Sequence, residues 1–156
     1  LIPLCHNCNL AKGDDWKENG HQIFFNAYFD RLDEIEILEC KISRDISTGI
    51  AISEIRLKIS GYENEVCQRV VNTITRLKLL PLYTTDSNKI LRSKTIEFKT
   101  EYEQQNTRYA GKDDYIGAKR GVIRTMSSNV DDFIAKLTYS AIVESNEYWD
   151  YVKSQL

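Results

Sequence analysis

The chain carries over residues 35–59 the run Ile-Glu-Ile-Leu-Glu-Cys-Lys-Ile-Ser-Arg-Asp-Ile-Ser-Thr-Gly-Ile-Ala-Ile-Ser-Glu-Ile-Arg-Leu-Lys-Ile. Two isoleucine-rich segments, about Ile35–Ile42 and about Ile50–Ile59, flank the polar stretch Asp45–Gly49. A polar stretch that ends in glycine between two such segments is typical of a turn between strands. The run therefore predicts two strands that pair antiparallel.

The alternation of apolar residues changes phase within the second predicted strand. Ile50 and Ile52 share one parity, whereas Ile55 and Leu57 share the other. Because successive side chains of a strand point to opposite faces, a regular strand cannot bury both sets on one face. We therefore expect a bulge or two local registers near Ser53.

The sequence that follows the predicted hairpin has the periodicity of helices. Val66, Val70 and Ile74 recur at helical spacing, and Pro81 is expected to end this first helix. A second helix is expected to start near Thr85–Ser87, whose side chains offer oxygens for capping.

Two further helices are expected near the end of the chain. Residues 110–125 contain three glycines and mixed charges, which predicts a loop. A helix is expected to follow from about Ser128, with Asp131 and Asp132 at its positive N-terminal end. A last helix contains Trp149. With the strand pair, these elements predict an α+β fold whose C-terminal domain is mostly helical.

The composition is that of a globular protein without a strong net charge. The chain has 156 residues, of which 42% are hydrophobic and 28% charged, and its formal net charge is -2. This balance gives no global attraction to nucleic acid, although a local basic stripe would be enough to bind phosphates. No apolar run approaches the roughly 20 residues that span a bilayer, so we expect no membrane partner.

The four cysteines suggest a metal site rather than a disulfide framework. Cys5 and Cys8 form a C-x2-C knuckle, which can supply half of a tetrahedral zinc site. A redox role for this pair is disfavoured, because a polar linker follows in place of a long helix. Cys40 and Cys67 lie in apolar patterns on a predicted strand and helix, where free cysteine behaves as a small hydrophobic residue. This usage favours a reducing, cytoplasmic compartment.

The residues around the knuckle carry a more specific signal. Residues 1–13 read Leu-Ile-Pro-Leu-Cys-His-Asn-Cys-Asn-Leu-Ala-Lys-Gly and closely resemble the C-terminal half of the HNH endonuclease motif. The matching positions are Leu1, Leu4, Cys5, Cys8, Asn9 and Lys12. The resemblance implies a truncated ββα-metal segment over residues 1–20, in which Cys5 and Cys8 bind a structural Zn²⁺. Residues 21–156 would then form an α+β, mostly helical extension domain.

The resemblance also implies a chemistry for the intact parent protein. In this family a histidine is the general base for the water that attacks a DNA phosphodiester, and a divalent cation stabilises the developing charge. Asn9 matches the last metal-binding position, so we expect it to be catalytic and to bind Mg²⁺ or Mn²⁺. Lys12, one helical turn further on, is expected to contact a phosphate of the DNA.

The first half of the motif is missing from the chain. The general-base histidine, its acidic neighbour and the first cysteine pair would precede Leu1. His21 cannot replace the base, because it follows the motif instead of preceding it. We therefore expect this chain alone to be inactive and its parent to be a bacterial HNH endonuclease of the restriction or phage-defence kind.

A cluster of basic residues offers a second contact with nucleic acid. Lys119, Arg120 and Arg124 lie in and around the predicted loop and could bind a phosphate backbone. Asp113 and Asp114 dilute this positive charge, so a solvated loop of mixed charge is the alternative.

A different class of function also fits the sequence. The chain could be a non-catalytic protein-interaction or DNA-binding domain with a degenerate zinc knuckle. The residues before Leu1 would discriminate between the two functions, because only a nuclease needs a histidine near a second C-x2-C there. The expected partners are DNA for the intact parent, and a protein or a second copy of this chain.

Overall fold

The computed structural model describes residues 17–18, 21–24, 37–58 and 65–156. The predicted motif of residues 1–13 lies outside these ranges, and the predicted domain boundary at residue 20 does too. The chain divides into two compact units. Of the described residues, the first unit contains 17–18, 21–24, 37–39, 56–58 and 65–82, and the second contains 40–55 and 83–156.

The first unit contains a short strand pair and a helix. Strands β1 (Lys17–Glu18) and β2 (His21–Gln22) run antiparallel. Helix α1 (Glu65–Arg76) buries Cys67, Val70 and Ile74, whose spacing of three and four residues defines one helix face. The helix predicted from this periodicity is therefore confirmed.

The predicted antiparallel hairpin is confirmed as well. Strands β3 (Leu38–Arg44) and β4 (Ala51–Leu57) form a two-stranded sheet. The Lys58 amide donates to the Ile37 carbonyl over 2.8 Å at one end, and the Asp45 amide donates to the Ile50 carbonyl over 2.9 Å at the other. Both bonds fit one antiparallel register. In this register the main-chain groups of odd-numbered β3 residues point toward β4, and those of even-numbered residues point away from it.

The predicted bulge near Ser53 is wrong. Ala51, Ser53 and Ile55 are buried, whereas Ile50 and Ile52 are 48% and 39% exposed. The alternation is regular along β4 because a serine occupies the central position of the buried face.

The boundary between the first two helices differs from the prediction. Helix α1 ends at Arg76, and Lys78 adopts a left-handed conformation with φ of 52°. Helix α2 (Leu79–Gln105) then begins before Pro81 rather than near Thr85. Pro81 lies in the first turn of α2, where the amide that proline lacks would have no partner within the helix. Proline therefore marks the start of a helix here instead of an end.

The loop predicted over residues 110–125 is also wrong. A short 3-10 segment (Asn106–Arg108) is followed by helix α3 (Lys112–Asn129). This helix buries Tyr115 and Ile123, and its glycines lie where an added Cβ would meet no atom within 4 Å. The glycines reduce intrinsic helix propensity by about 1 kcal/mol each, and the buried side chains offset that cost.

The last two helices begin at clear capping residues. Helix α4 (Phe133–Glu144) starts after Asp132, whose carboxylate accepts from the Ala135 amide over 2.6 Å, and not near Ser128 as predicted. Helix α5 (Asn146–Gln155) starts after Ser145, whose hydroxyl accepts from the Tyr148 amide over 3.1 Å. Side-chain capping thus defines both starts.

The core of the second unit is formed mainly by aromatic and aliphatic side chains of these helices. Phe98 stacks on Trp149 with ring centroids 5.7 Å apart. The largest fully buried side chains include Tyr115, Tyr148, Leu91, Ile123 and Ile142. The predicted α+β class with a mostly helical C-terminal part is confirmed. None of the helices in the described part of the chain is long and apolar enough to cross a membrane.

Candidate functional site

The predicted metal-binding and catalytic residues lie outside the described part of the chain. Cys5, Cys8, Asn9 and Lys12 all fall within residues 1–16, so their roles stay predictions. Among the residues that the structure describes, no three His, Cys, Asp or Glu side chains form a group that could hold a metal ion. The backbone of His21 lies in β2, opposite Glu18.

The two remaining cysteines occupy the kinds of element that the sequence predicts. Cys67 is a buried residue of α1 and Cys40 lies on β3, and neither forms a disulfide among the described residues. The Cys40 sulfur lies 3.6 Å from the Ser87 hydroxyl oxygen. Burial raises the pKa of the Cys40 thiol, and the hydrogen bond with Ser87 lowers it by less. Cys40 is therefore protonated at neutral pH, as expected of a structural cysteine.

Lys119 is held inside the second unit. Its ammonium group forms an ion pair with Glu101 of α2, and the Lys119 side chain is only 12% exposed. The same group lies 5.3 Å from the ring centroid of Tyr115, whose hydroxyl donates to the Phe98 carbonyl over 2.7 Å. These contacts join α2 to α3. Lys119 would have to give up Glu101 to bind a phosphate.

Arg120 also has protein partners. Its Nε donates to the Val143 carbonyl over 2.7 Å, and its Nη2 donates to Oδ1 of Asn146 over 3.0 Å. Val143 lies in the last turn of α4, where carbonyl groups lack partners within the helix. Arg120 thus joins α3 to the junction between α4 and α5.

Arg124 differs from these two residues, because its side chain is exposed to solvent. Its carbonyl accepts from the Ser127 hydroxyl over 2.8 Å, but its guanidinium has no hydrogen-bond or ion-pair partner among the described residues. Arg124 lies one turn beyond Arg120 on α3. Considering only partners within the described ranges, Arg124 is the predicted basic contact of this helix whose charge could meet an external anion.

The outer edge of β4 shows a feature that sequence reasoning missed. Asn88 of α2 donates through Nδ2 to the Ser53 carbonyl over 2.8 Å and accepts through Oδ1 from the Ser53 amide over 2.9 Å. Thr84, one helical turn earlier, accepts from the Ile55 amide over 3.0 Å. Helix side chains therefore bond the edge that another strand would otherwise occupy. The only signal in the sequence is the spacing of four residues between Thr84 and Asn88.

The turn between β3 and β4 is held by one carboxylate. Oδ1 of Asp45 accepts from the Ser47 and Thr48 amides over 3.0 and 2.8 Å and from both of their hydroxyls. Gly49 completes the turn with φ of 66°, a conformation that favours glycine. The turn leaves Ile46 fully exposed to solvent, at 103%. The turn therefore exposes the apolar Ile46 side chain on a backbone that hydrogen bonds to Asp45 hold in place.

No protein-family model matches the chain, and no curated protein or solved structure matches it either.

Proposed function

We propose that this chain is part of an HNH-type endonuclease that hydrolyses DNA phosphodiester bonds with a divalent cation. The observation that carries the proposal is the sequence of residues 1–13. A C-x2-C pair alone would fit several functions. Leu4 before the pair, and Asn9 and Lys12 after it, make the combination specific to the family pattern.

Each residue type in the run suits its proposed role. The thiolates of Cys5 and Cys8 are typical ligands of structural Zn²⁺. The amide oxygen of Asn9 is a suitable ligand for Mg²⁺, which prefers oxygen. Lys12 supplies a point charge for a phosphate. Residues 1–13 match no general-base histidine and no second pair of zinc ligands of the family pattern, so this chain by itself is proposed to be inactive.

The second unit would contribute a contact with DNA at one place. Arg124 is exposed and its guanidinium has no partner in the described ranges, which supports a phosphate contact. Lys119 and Arg120 are held by Glu101 and by the end of α4, so they would serve mainly to position α3. Cys40 and Cys67 form no disulfide in the described part of the chain, which supports a reducing compartment, and we propose the bacterial cytoplasm.

Cleavage of plasmid DNA by the intact parent tests the proposal. With Mg²⁺ or Mn²⁺ present, Asn9→Ala is expected to lower the cleavage rate by more than about 100-fold, since changing a residue that only hydrogen-bonds a metal ligand already costs about 10- to 100-fold. Asn7→Ala is the matched control, because this asparagine lies in the same knuckle but off the family pattern. Full activity of Asn9→Ala would overturn the proposed site. Metal analysis of Cys8→Ser is expected to show loss of bound zinc.

One observation favours the alternative, a non-catalytic interaction domain. Ile46, Ile50 and Ile52 are exposed apolar side chains within one hairpin, which is typical of a surface that contacts another protein. Ile46→Asp is expected to leave DNA cleavage by the parent unchanged if the chain belongs to a nuclease. An interaction domain would instead lose its partner on this substitution and show no metal-dependent cleavage.

A further inference from the structure

The two outer edges of the hairpin are bonded differently. On β4, Asn88 and Thr84 bond the outward amides of Ser53 and Ile55. On β3, the Arg44 amide donates to the Glu147 carboxylate over 3.1 Å. The outward main-chain groups of Cys40 and Ile42, further along this edge, have no hydrogen-bond partner among the described residues. Unpaired groups in a row are a template for another strand.

The side chains along the same edge are incompletely buried. Cys40 and Ile42 lie on the core-facing side of β3, and both are only half-buried. Ile42 packs against the core of the second unit. Another strand beside β3 would remove more of this apolar surface from water, which is favourable.

Charged residues on the solvent-facing side of the hairpin show which strand could pair with the outer edge of β3. The hairpin register places Glu39 opposite Arg56 and Lys41 opposite Glu54. Glu39 and Lys41 flank Cys40 on the same strand. If a second copy of β3 lay antiparallel with the two Cys40 residues opposite each other, Glu39 of each copy would face Lys41 of the other. Opposite charges that face each other across two strands stabilise the pairing.

The charges also discriminate between registers. With the Cys40 residues opposite each other, four charged side chains lie side by side across the four strands. Arg56 and Glu39 of one copy are followed by Lys41 and Glu54 of the second copy, so positive and negative charges alternate. A shift of one residue on each strand would place the two Lys41 side chains opposite each other, which is destabilising. Two antiparallel copies of β3 therefore have complementary charges in the register that places the Cys40 residues opposite each other.

We infer that two copies of this chain associate through the outer edge of β3 into a symmetric dimer with a four-stranded sheet. The pairing covers residues 38–42 and ends before Arg44, whose amide already bonds Glu147. A two-fold axis passes between the Cys40 residues, and each copy contributes the same surface.

The test exploits the two charges. In Lys41→Glu, a glutamate would face Glu39 of the other copy, and in Glu39→Lys, a lysine would face Lys41. Sedimentation velocity of the whole chain is expected to show a concentration-dependent dimer for the wild type and monomers for each variant alone. An equimolar mixture of the two variants is expected to form a heterodimer, because both of its cross-strand pairs have opposite charges.

A matched control separates pairing between copies from damage to the hairpin. Glu54→Lys places two lysines opposite each other inside the hairpin but changes neither of the pairs between Glu39 and Lys41. This variant is expected to stay dimeric, and circular dichroism verifies that every variant is folded.

Hydrogen exchange of the wild type gives a second readout that needs no variant. The Cys40 and Ile42 amides are expected to exchange more slowly as protein concentration rises, whereas the Lys41 amide, which points toward β4, is expected to stay unchanged. A wild type that is monomeric at all concentrations would overturn the inference. Dimers retained by both charge variants, or a mixture that stays monomeric, would overturn it as well.

Discussion

Asn88 bonds both main-chain polar groups of Ser53 through its single side-chain amide, donating to the carbonyl over 2.8 Å and accepting from the amide over 2.9 Å. A neighbouring strand would bond the same two groups in a wider sheet. The Nδ2 group also donates to the Thr84 carbonyl over 2.9 Å, which holds the side chain against its own helix. One asparagine thus joins α2 to the hairpin and closes its edge.

The substitution Asn88→Ala is expected to destabilise the protein by about 2 to 3 kcal/mol, because it leaves a buried amide and carbonyl without partners. Chemical denaturation measures the free energy of unfolding. Gln104→Ala, on the exposed side of the same helix, is the control and is expected to change stability by less than about 0.5 kcal/mol. Equal stability of the two variants would contradict the proposed closure of the edge.

Ser53→Ala is expected to leave the free energy of unfolding unchanged or to raise it by up to about 1 kcal/mol. The Ser53 hydroxyl is buried and has no hydrogen-bond partner among the described residues, so its removal relieves a desolvation cost. Ser87→Ala serves as the contrast, since the Ser87 hydroxyl bonds that of Thr138 over 2.9 Å. A loss of stability in Ser53→Ala as large as in Ser87→Ala would show that the Ser53 hydroxyl has a partner.

The carboxyl of Asp45 is expected to make stability depend on pH. Hydrogen bonds from the Ser47 hydroxyl and then from Thr48 lower the pKa of this carboxyl from 3.8 to about 2. Because the folded-state pKa is depressed, the stabilisation is complete above about pH 4 and is lost as pH falls toward 2.

An NMR titration of Asp45 and unfolding curves between pH 2 and about 5 measure this effect. In Asp45→Asn, the free energy of unfolding is expected to fall less over that range than in the wild type. In Asp150→Asn, which changes an exposed position of α5, it is expected to fall as much as in the wild type. An Asp45 carboxyl that titrates at its ordinary pKa would contradict the hydrogen-bonded turn.

Lys119→Met and Arg124→Ala are expected to act on different properties. The first leaves the partly buried Glu101 without its cation and is expected to cost about 1 to 3 kcal/mol of stability. The second removes an exposed charge and is expected to change stability by less than about 0.5 kcal/mol. Thermal unfolding measures both.

For DNA binding by the parent, Arg124→Ala is expected to have the larger effect and Lys119→Met the smaller one. Arg124→Ala should reduce the slope of log affinity against log salt by about 1, as the loss of one phosphate contact does. Lys119→Met should leave that slope unchanged in a protein that is still folded. A salt slope that responds only to Lys119 would contradict the assignment of the DNA contact to Arg124.

Several elements could be predicted because their signals are local in the sequence. The turn at Asp45–Gly49 combines a carboxylate acceptor with a glycine at positive φ, and its neighbours are isoleucine-rich, so the hairpin followed directly. The spacing of Val70 and Ile74 predicted α1, because residues four positions apart lie on the same face of a helix. The placement of Cys40 on a strand and Cys67 on a helix was correct because the apolar patterns around them were clear.

The helix boundaries were harder to predict from the sequence. Pro81 is compatible with both the end and the start of a helix, and the left-handed conformation of Lys78 decided between them. The glycines of α3 disfavour a helix locally, but the buried Tyr115 and Ile123 stabilise one. Burial against distant residues is not visible in a window of sequence.

By itself, the sequence determined the hairpin and the helical face of α1, because each depends on residues that are neighbours in the chain. Only the tertiary structure decided that Ser53 and not Ile52 faces the core, and that Asn88 closes the edge of β4. It also decided that Lys119 pairs with Glu101, whereas the Arg124 guanidinium meets no partner in the part of the chain that the structure describes. These outcomes depend on partners many residues apart, since burial and hydrogen bonding are set by which elements pack together.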